Sequence, residues 1–206
     1  YLQGDPNVKK INAHITKKVA DKLDEMFRTD RKAFEEKWEH IGLFVKYGMM
    51  TEDKFLDKAN KFHLMAGVNG TDFYTLEEYR TATTALQTNK ENKLVILYAT
   101  NTVQQDSYIK AAEAKGYKVV KLDTLVDAGF INQMEMKWEN VQFTRVDADI
   151  ADNLINNEAQ AQSVLSEEQE GRLKDLFGQQ LAQPNIKVEL KGLNTAEQPV
   201  IVTRSE

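Results

Sequence analysis

Leu94-Val95-Ile96-Leu97-Tyr98 is an unbroken apolar run between Lys93 and the polar Thr100-Asn101-Thr102. A strand with one wet face alternates apolar and polar residues, whereas a continuous run is what a strand covered on both faces needs. Layers are therefore required above and below it, and the residues that follow supply them. Helical spacing runs from about Gln104 to Lys115, with Ile109, Ala112 and Ala114, and Gly116 ends it. Val119-Val120-Lys121-Leu122 reads as a second strand, Asp123 to Trp138 as another helix, and Val141-Gln142-Phe143-Thr144 as a third strand. Strand, helix, strand, helix, strand implies a small parallel sheet with right-handed crossovers.

Upstream the period changes to that of helices. Val8, Ile11, Ile15, Val19, Leu23 and Met26 recur every three or four residues and draw one stripe. The lysines between them are interleaved with Asp21, Asp24 and Glu25, as on a solvated face. Asp30 is a good N-cap for a second helix with Phe34, Trp38, Ile41 and Val45 inward and Gly48 as its stop. A third helix is expected after Thr51, with Phe55, Ala59 and Phe62 inward, then a turn at Asn69-Gly70. Thr75-Leu76-Glu77-Glu78 is a capping box, placing Tyr79, Ala82 and Leu86 inward. Residues up to about 88 thus read as all-helical.

From Asp147 to Gly171 there is no lysine or arginine, and seven acidic residues accumulate. That composition suits a linker or an exposed connecting helix. A further unit opens at the capping box Ser166-Glu167-Glu168-Gln169, with Leu173, Leu176, Phe177 and Leu181 as its stripe. Two strands follow, Ile186–Leu190 and Val200–Val202. The expected organisation is a helical part at 1–92, a small three-layer αβα unit at 93–150, an acidic linker at 151–165, and the start of an α+β domain at 166–206. The polar opening without Met and the terminal strand without partners suggest a segment of a longer protein.

The chain has 206 residues, of which 41% are hydrophobic, enough for a real core. A net charge of -5 speaks against a nucleic-acid partner, which wants a basic face. With no cysteine, thiolate catalysis, disulfides and Cys-based zinc sites are excluded. No apolar run approaches the ~20 residues of a membrane helix.

A βαβαβ unit invites nucleotide binding, which needs a glycine-rich turn after the first strand so that backbone amides approach phosphate. The turn here, Ala99-Thr100-Asn101-Thr102-Val103-Gln104, has no glycine. His14, His40 and His63 lack metal-ligand spacing. Asp123 and Asp127, four apart at a helix start, either share a face or complement the helix dipole. Phe130, Ile131, Met134, Met136 and Trp138 place apolar groups on more than one side of a helix. Either core and neighbour cover both sides, or an adaptable Met-containing patch lies open to partners.

Taken in order, these residues resemble a known family. Val8-Lys9-Lys10-Ile11, Ile15-Thr16-Lys17-Lys18-Val19, the spacing of Phe34, Trp38, Gly42, Lys46 and Gly48, and Thr75-Leu76-Glu77-Glu78-Tyr79 are similar to the middle domain of the bacterial ninety-kilodalton heat-shock chaperones, the HtpG type. Lys115-Gly116-Tyr117-Lys118-Val119, with Asp123 and Val126-Asp127 after it, continues the match. Val188-Glu189-Leu190 and Pro199–Thr203 resemble the opening of the family's C-terminal domain.

The resemblance implies part of a cytoplasmic, homodimeric, ATP-driven clamp. ATP and Mg would bind an N-terminal domain of the parent, a slow ATPase, and a C-terminal domain would dimerise. The fragment itself would hold no cofactor or metal and have no enzymatic activity. Gln3 matches a loop glutamine that reaches the γ-phosphate, its arginine partner lying before Tyr1. Unfolded or partly folded clients are the implied partners, with Phe130, Ile131, Met134 and Trp138 as candidate contacts, although Ala128-Gly129 replace an acidic-aromatic pair frequent in bacterial relatives. The alternatives are a small α/β nucleotide-binding or enzymatic domain and an unrelated interaction module.

Overall fold

A computed structural model describes residues 6–148 and 165–181, with the single positions 188, 190 and 200. The expectations for Gln3, for most of the acidic stretch and for the two C-terminal strands lie outside these residues. The chain divides into two compact units, Tyr1–Ile155 with Arg204–Glu206, and Asn156–Thr203.

The first unit opens with α1 (Pro6–Thr29), α2 (Arg31–Thr51) and α3 (Asp53–Ala59). A hairpin of β1 (Met65–Ala66) and β2 (Phe73–Tyr74) leads to α4 (Leu76–Thr83). Then come β3 (Leu94–Ala99), α5 (Asp106–Ala114), β4 (Val119–Lys121), α6 (Asp127–Lys137) and β5 (Val141–Arg145). The sheet has the order β4-β3-β5 and is parallel throughout. In the second unit α7 (Glu167–Leu181) starts at its capping box: Gln169 N–H donates to the Ser166 hydroxyl at 3.3 Å and Ser166 N–H to the Gln169 side chain at 2.9 Å.

The apolar run does what its composition requires. Leu94 and Ile96 face one layer, with Val120, Phe130, Met134, Trp138 and Phe143. Val95, Leu97 and Ala99 face the other, with Ile109, Ala112, Tyr117 and Val119. Alternate residues of a strand point to opposite faces, so one strand seeds two cores. The first core runs on without a break into Phe34, Trp38, Val45 and Met49 of α2, Phe55 of α3 and Tyr79 of α4. The fold class is the expected one, helices followed by a small αβα layer.

Several local expectations are corrected. The segment before residue 88 is not all-helical, because it contains the β1–β2 hairpin. Strands of two residues are too short to write a period-two pattern. Gly48 does not stop α2, which runs on to Thr51. A Cβ at Gly48 would lie 2.9 Å from the Phe55 ring, so this glycine serves a close approach of α3 rather than a cap. Ala82 and Leu86 are exposed, and Thr83 and Gln87 take the inward positions. The reason is a polar hub: Gln87 accepts from Lys118 N–H at 2.6 Å and donates to the Tyr79 hydroxyl at 2.8 Å and the Val95 carbonyl at 3.0 Å. On α1, Ala20 is buried and Leu23, Met26 and Phe27 pack on the core, yet Ile11, Ile15 and Val19 of the same stripe stay exposed.

Caps join the helices to one another. Asp30 accepts from Ala33 N–H at 3.0 Å, as expected of an N-cap. In the second box Thr75 accepts from Glu78 N–H at 3.2 Å while Thr75 N–H donates to Glu78 at 2.8 Å. Arg31 at the head of α2 grips the same Glu78 through two bonds of 2.9 Å.

Candidate functional site

In an open parallel sheet, ligands take the crevice at the carboxyl ends of strands where the winding reverses. Here that crevice lies between β3 and β5, and the protein's own side chains occupy it. The Gln105 carboxamide oxygen accepts from Thr100 N–H at 2.8 Å and Asn101 N–H at 2.9 Å, donors that would otherwise face a phosphate. Its nitrogen donates to Asp147 at 2.8 Å, and Arg145 donates to the same carboxylate oxygen at 2.5 Å. An arriving anion would meet satisfied amides and a carboxylate. Beside β4 an open cleft of about 180 Å³ is lined by residues including Asn69, Asp72, Tyr74 and Lys118. That is smaller than the ~300–1,000 Å³ of ordinary ligand pockets. Burial and the neighbouring Asp72 carboxylate push the Tyr74 phenol up to about 12. Among the described residues, no group of His, Cys, Asp and Glu is arranged to hold a metal ion, and no helix is long and apolar enough to cross a membrane.

The densest chemistry lies where α2 meets α6. The Lys46 ammonium donates to the Asp127 carboxylate at 2.5 Å, with both side chains buried. Asp127 also accepts from Thr124 N–H at 2.8 Å, which fixes the start of α6 four residues later than the sequence suggests. Asp123 instead pairs at the surface with Lys121, so the two carboxylates do not form one site. Next to this pair His63 is fully buried, and neither ring nitrogen has a hydrogen-bond partner. Its ring sits 5.4 Å from Trp38, 5.0 Å from Phe130 and 6.0 Å from Trp138. Burial holds the imidazole well below its usual range, and the nearby Lys46 charge adds to the effect. Trp138 is anchored in turn, donating its indole N–H to Asn60 at 3.0 Å.

Of the residues expected to meet clients, Phe130, Met134 and Trp138 are core residues and Ile131 is half-buried. Covered sides, not an open patch, describe this stretch, apart from the exposed Met136. Besides the exposed Ile11, Ile15 and Val19 of α1, an open apolar patch lies on α2, where Leu43, Phe44 and Tyr47 are exposed. The sequence reading missed it, although the signal was there: these residues are apolar yet fall off the Phe34, Trp38, Val45 stripe. His14 and His40 are exposed and separate.

A family model described as Hsp90 protein matches residues 1–206. The chain belongs to the Hsp90 family. It is 43% identical over 209 residues to a protein named chaperone protein HtpG in Porphyromonas gingivalis, covering 100% of this chain and 30% of that protein. The HtpG of Bacteroides thetaiotaomicron is likewise 43% identical over 211 residues, with 100% and 30% covered. This Hsp90-family chain therefore spans 30% of the length of these relatives. Among solved structures, the middle domain of a Plasmodium falciparum heat shock protein is similar in fold, with a TM-score of 0.52 and 14% identity, covering 68% of this chain and 58% of that one.

Proposed function

We propose that this chain is the middle portion, with the start of the C-terminal portion, of an ATP-driven, dimeric cytoplasmic chaperone that binds unfolded or partly folded proteins. The observation that carries this reading is the match to HtpG chaperones at 43% identity along the whole chain. On this reading ATP and Mg bind elsewhere in the parent, and Gln3 reaches the γ-phosphate when the clamp closes. A donor supplied from another domain acts on phosphate charge only in the closed state, which is how closure and hydrolysis become linked. The core shared by α2 and the sheet suits a lever, since a shared core moves as one body. The self-filled crevice at Gln105 and Asp147 favours this over a nucleotide-binding α/β domain.

Two measurements test the proposal. Full-length protein should suppress aggregation of a chemically unfolded model protein, and ATP should alter that activity. Thermal unfolding of this chain should be indifferent to Mg-ATP. A ligand at 100 times its Kd would stabilise by about 2.7 kcal/mol, so a shift of that size would put the nucleotide-binding reading first. Failure of the full-length protein to engage any unfolded probe would end the chaperone reading.

A further inference from the structure

Asn69-Gly70 lies in the turn between β1 and β2, and of the chain's asparagines only Asn69 is followed by glycine. That pair carries a chemistry of its own. The backbone nitrogen after an asparagine can attack the side-chain carboxamide, and a glycine there has no Cβ to hinder the approach. Both residues are exposed, so water reaches them. Gly70 has φ +73°, and nothing stands within 4 Å of the place a Cβ would take.

In the folded hairpin the reacting groups are engaged in other bonds. The Asn69 carboxamide oxygen accepts from Thr71 N–H and Asp72 N–H, each at 3.1 Å. The Asn69 side chain also bonds the Asp72 carboxyl and, with help from Tyr74 and Lys118 and against burial, holds it below its usual range. The nucleophile is occupied too, since Gly70 N–H donates to the Gly67 carbonyl at 3.0 Å. Attack needs that proton removed and the carboxamide swung free, so both sets of bonds must break first. The hairpin in turn is joined to β4 by the Val68 N–H bond to the Val119 carbonyl at 3.1 Å.

We propose that Asn69 is a deamidation site which the closed hairpin protects and each opening of the hairpin unmasks, so that product at this position records time spent open. In the step the Gly70 nitrogen bonds to the Asn69 side-chain carbonyl carbon and gives its proton to solvent. The Asn69 side-chain nitrogen regains a proton from solvent and leaves as ammonia. Water then opens the cyclic imide at either carbonyl, giving aspartate or isoaspartate. Water is consumed and ammonia released in equal number, and nothing is oxidised or reduced. Aspartate puts a second anion beside Asp72. Isoaspartate adds a methylene to the turn backbone, which disturbs the 2.7 Å bond from Gly67 N–H to the Asp72 carbonyl and with it the β1–β2 register. Neither product reverts when the hairpin closes again.

The test ages the full-length protein in mildly alkaline buffer, once folded and once unfolded in guanidinium chloride. Mass spectrometry follows the peptide that contains Asn69, and enzymatic methylation of isoaspartyl groups gives a second readout. Product at Asn69 should form faster in denaturant by about tenfold or more, the ratio set by a local opening cost of about 1.4 kcal/mol. Asn69→Ser keeps an oxygen to cap the turn but has no carboxamide, so product there should vanish at unchanged melting temperature. Hydrogen exchange at the Val68 amide should be faster in molecules carrying isoaspartate at 69 than in fresh protein. Equal rates in folded and unfolded protein would overturn the protection. Absence of product in denaturant would overturn the site itself. Val68 exchange that isoaspartate leaves unmoved would overturn the damage to the hairpin.

Discussion

Lys46 and Asp127 meet at 2.5 Å between α2 and α6, and 81 residues of chain separate them. Two buried charges are costly to desolvate, so the pair contributes little net stability compared with apolar residues of the same shape. Losing one partner is another matter. Lys46→Met leaves the Asp127 carboxylate buried without its cation and should cost about 3–5 kcal/mol, read as a lower urea midpoint at unchanged slope. The double variant Lys46→Met, Asp127→Leu should recover most of that loss. A double variant as unstable as the sum of its parts would mean that the two side chains act independently.

His63 should make stability depend on pH. Its folded-state pKa is depressed by burial from the ordinary 6.5, so below that value the unfolded chain takes up a proton that the folded chain refuses. The contribution is fully present above about pH 6.5 and is lost as pH falls. Below pH 6.5 stability should fall with pH, by no more than about 1.4 kcal/mol per pH unit for this one group. His63→Leu should flatten that part of the stability curve. Trp38 and Trp138 both contact the ring and are the chain's only tryptophans, so their fluorescence should report the change.

Gly48→Ala should reverse the usual sign. Within a helix the exchange ordinarily gains about 1 kcal/mol. Here the new methyl would meet the Phe55 ring at 2.9 Å, and the resulting overpacking should cost about 1–3 kcal/mol instead. Adding Phe55→Leu should recover part of the loss, which thermal melts of the single and double variants would reveal.

Glu78 serves two masters, the Thr75 backbone and the Arg31 guanidinium. Thr75→Ala removes only one cap bond and should cost about 1 kcal/mol. Glu78→Ala removes the box and the link to α2 together, so it should cost more, by less than about 1 kcal/mol because that ion pair is partly exposed. Urea titrations of both variants would rank them.

What could be read from the residues alone was what depends on neighbours in sequence. The apolar run at 94–98, the Asp30 cap and the Thr75 box are local signals, and each sits where it was expected. The hairpin escaped because Met65–Ala66 and Phe73–Tyr74 owe their strand character to each other. The late start of α6 goes with the Thr124 N–H bond to Asp127, and in sequence Asp123 was an equally good opening residue; the inward turn of Gln87 depends on Lys118. For the candidate surface, Phe130 and Met134 carried a helical apolar pattern that fitted either a core or an open patch. Only the position of His63 and the two tryptophans decides between them. Phe44 and Tyr47 were visible as surplus apolar residues but not as neighbours in a row.

The unbroken core from α2 to the sheet has a consequence for synthesis. Chains emerge at about 5–20 residues per second, so Lys46 of α2 leaves the ribosome roughly 4–16 seconds before Asp127 does. During that interval Phe34, Trp38, Val45 and Met49 lack the α6 and sheet side of their cover. A nascent chain of this sequence therefore passes through a stage in which the α2 half of its core lies open before the other half exists to close it.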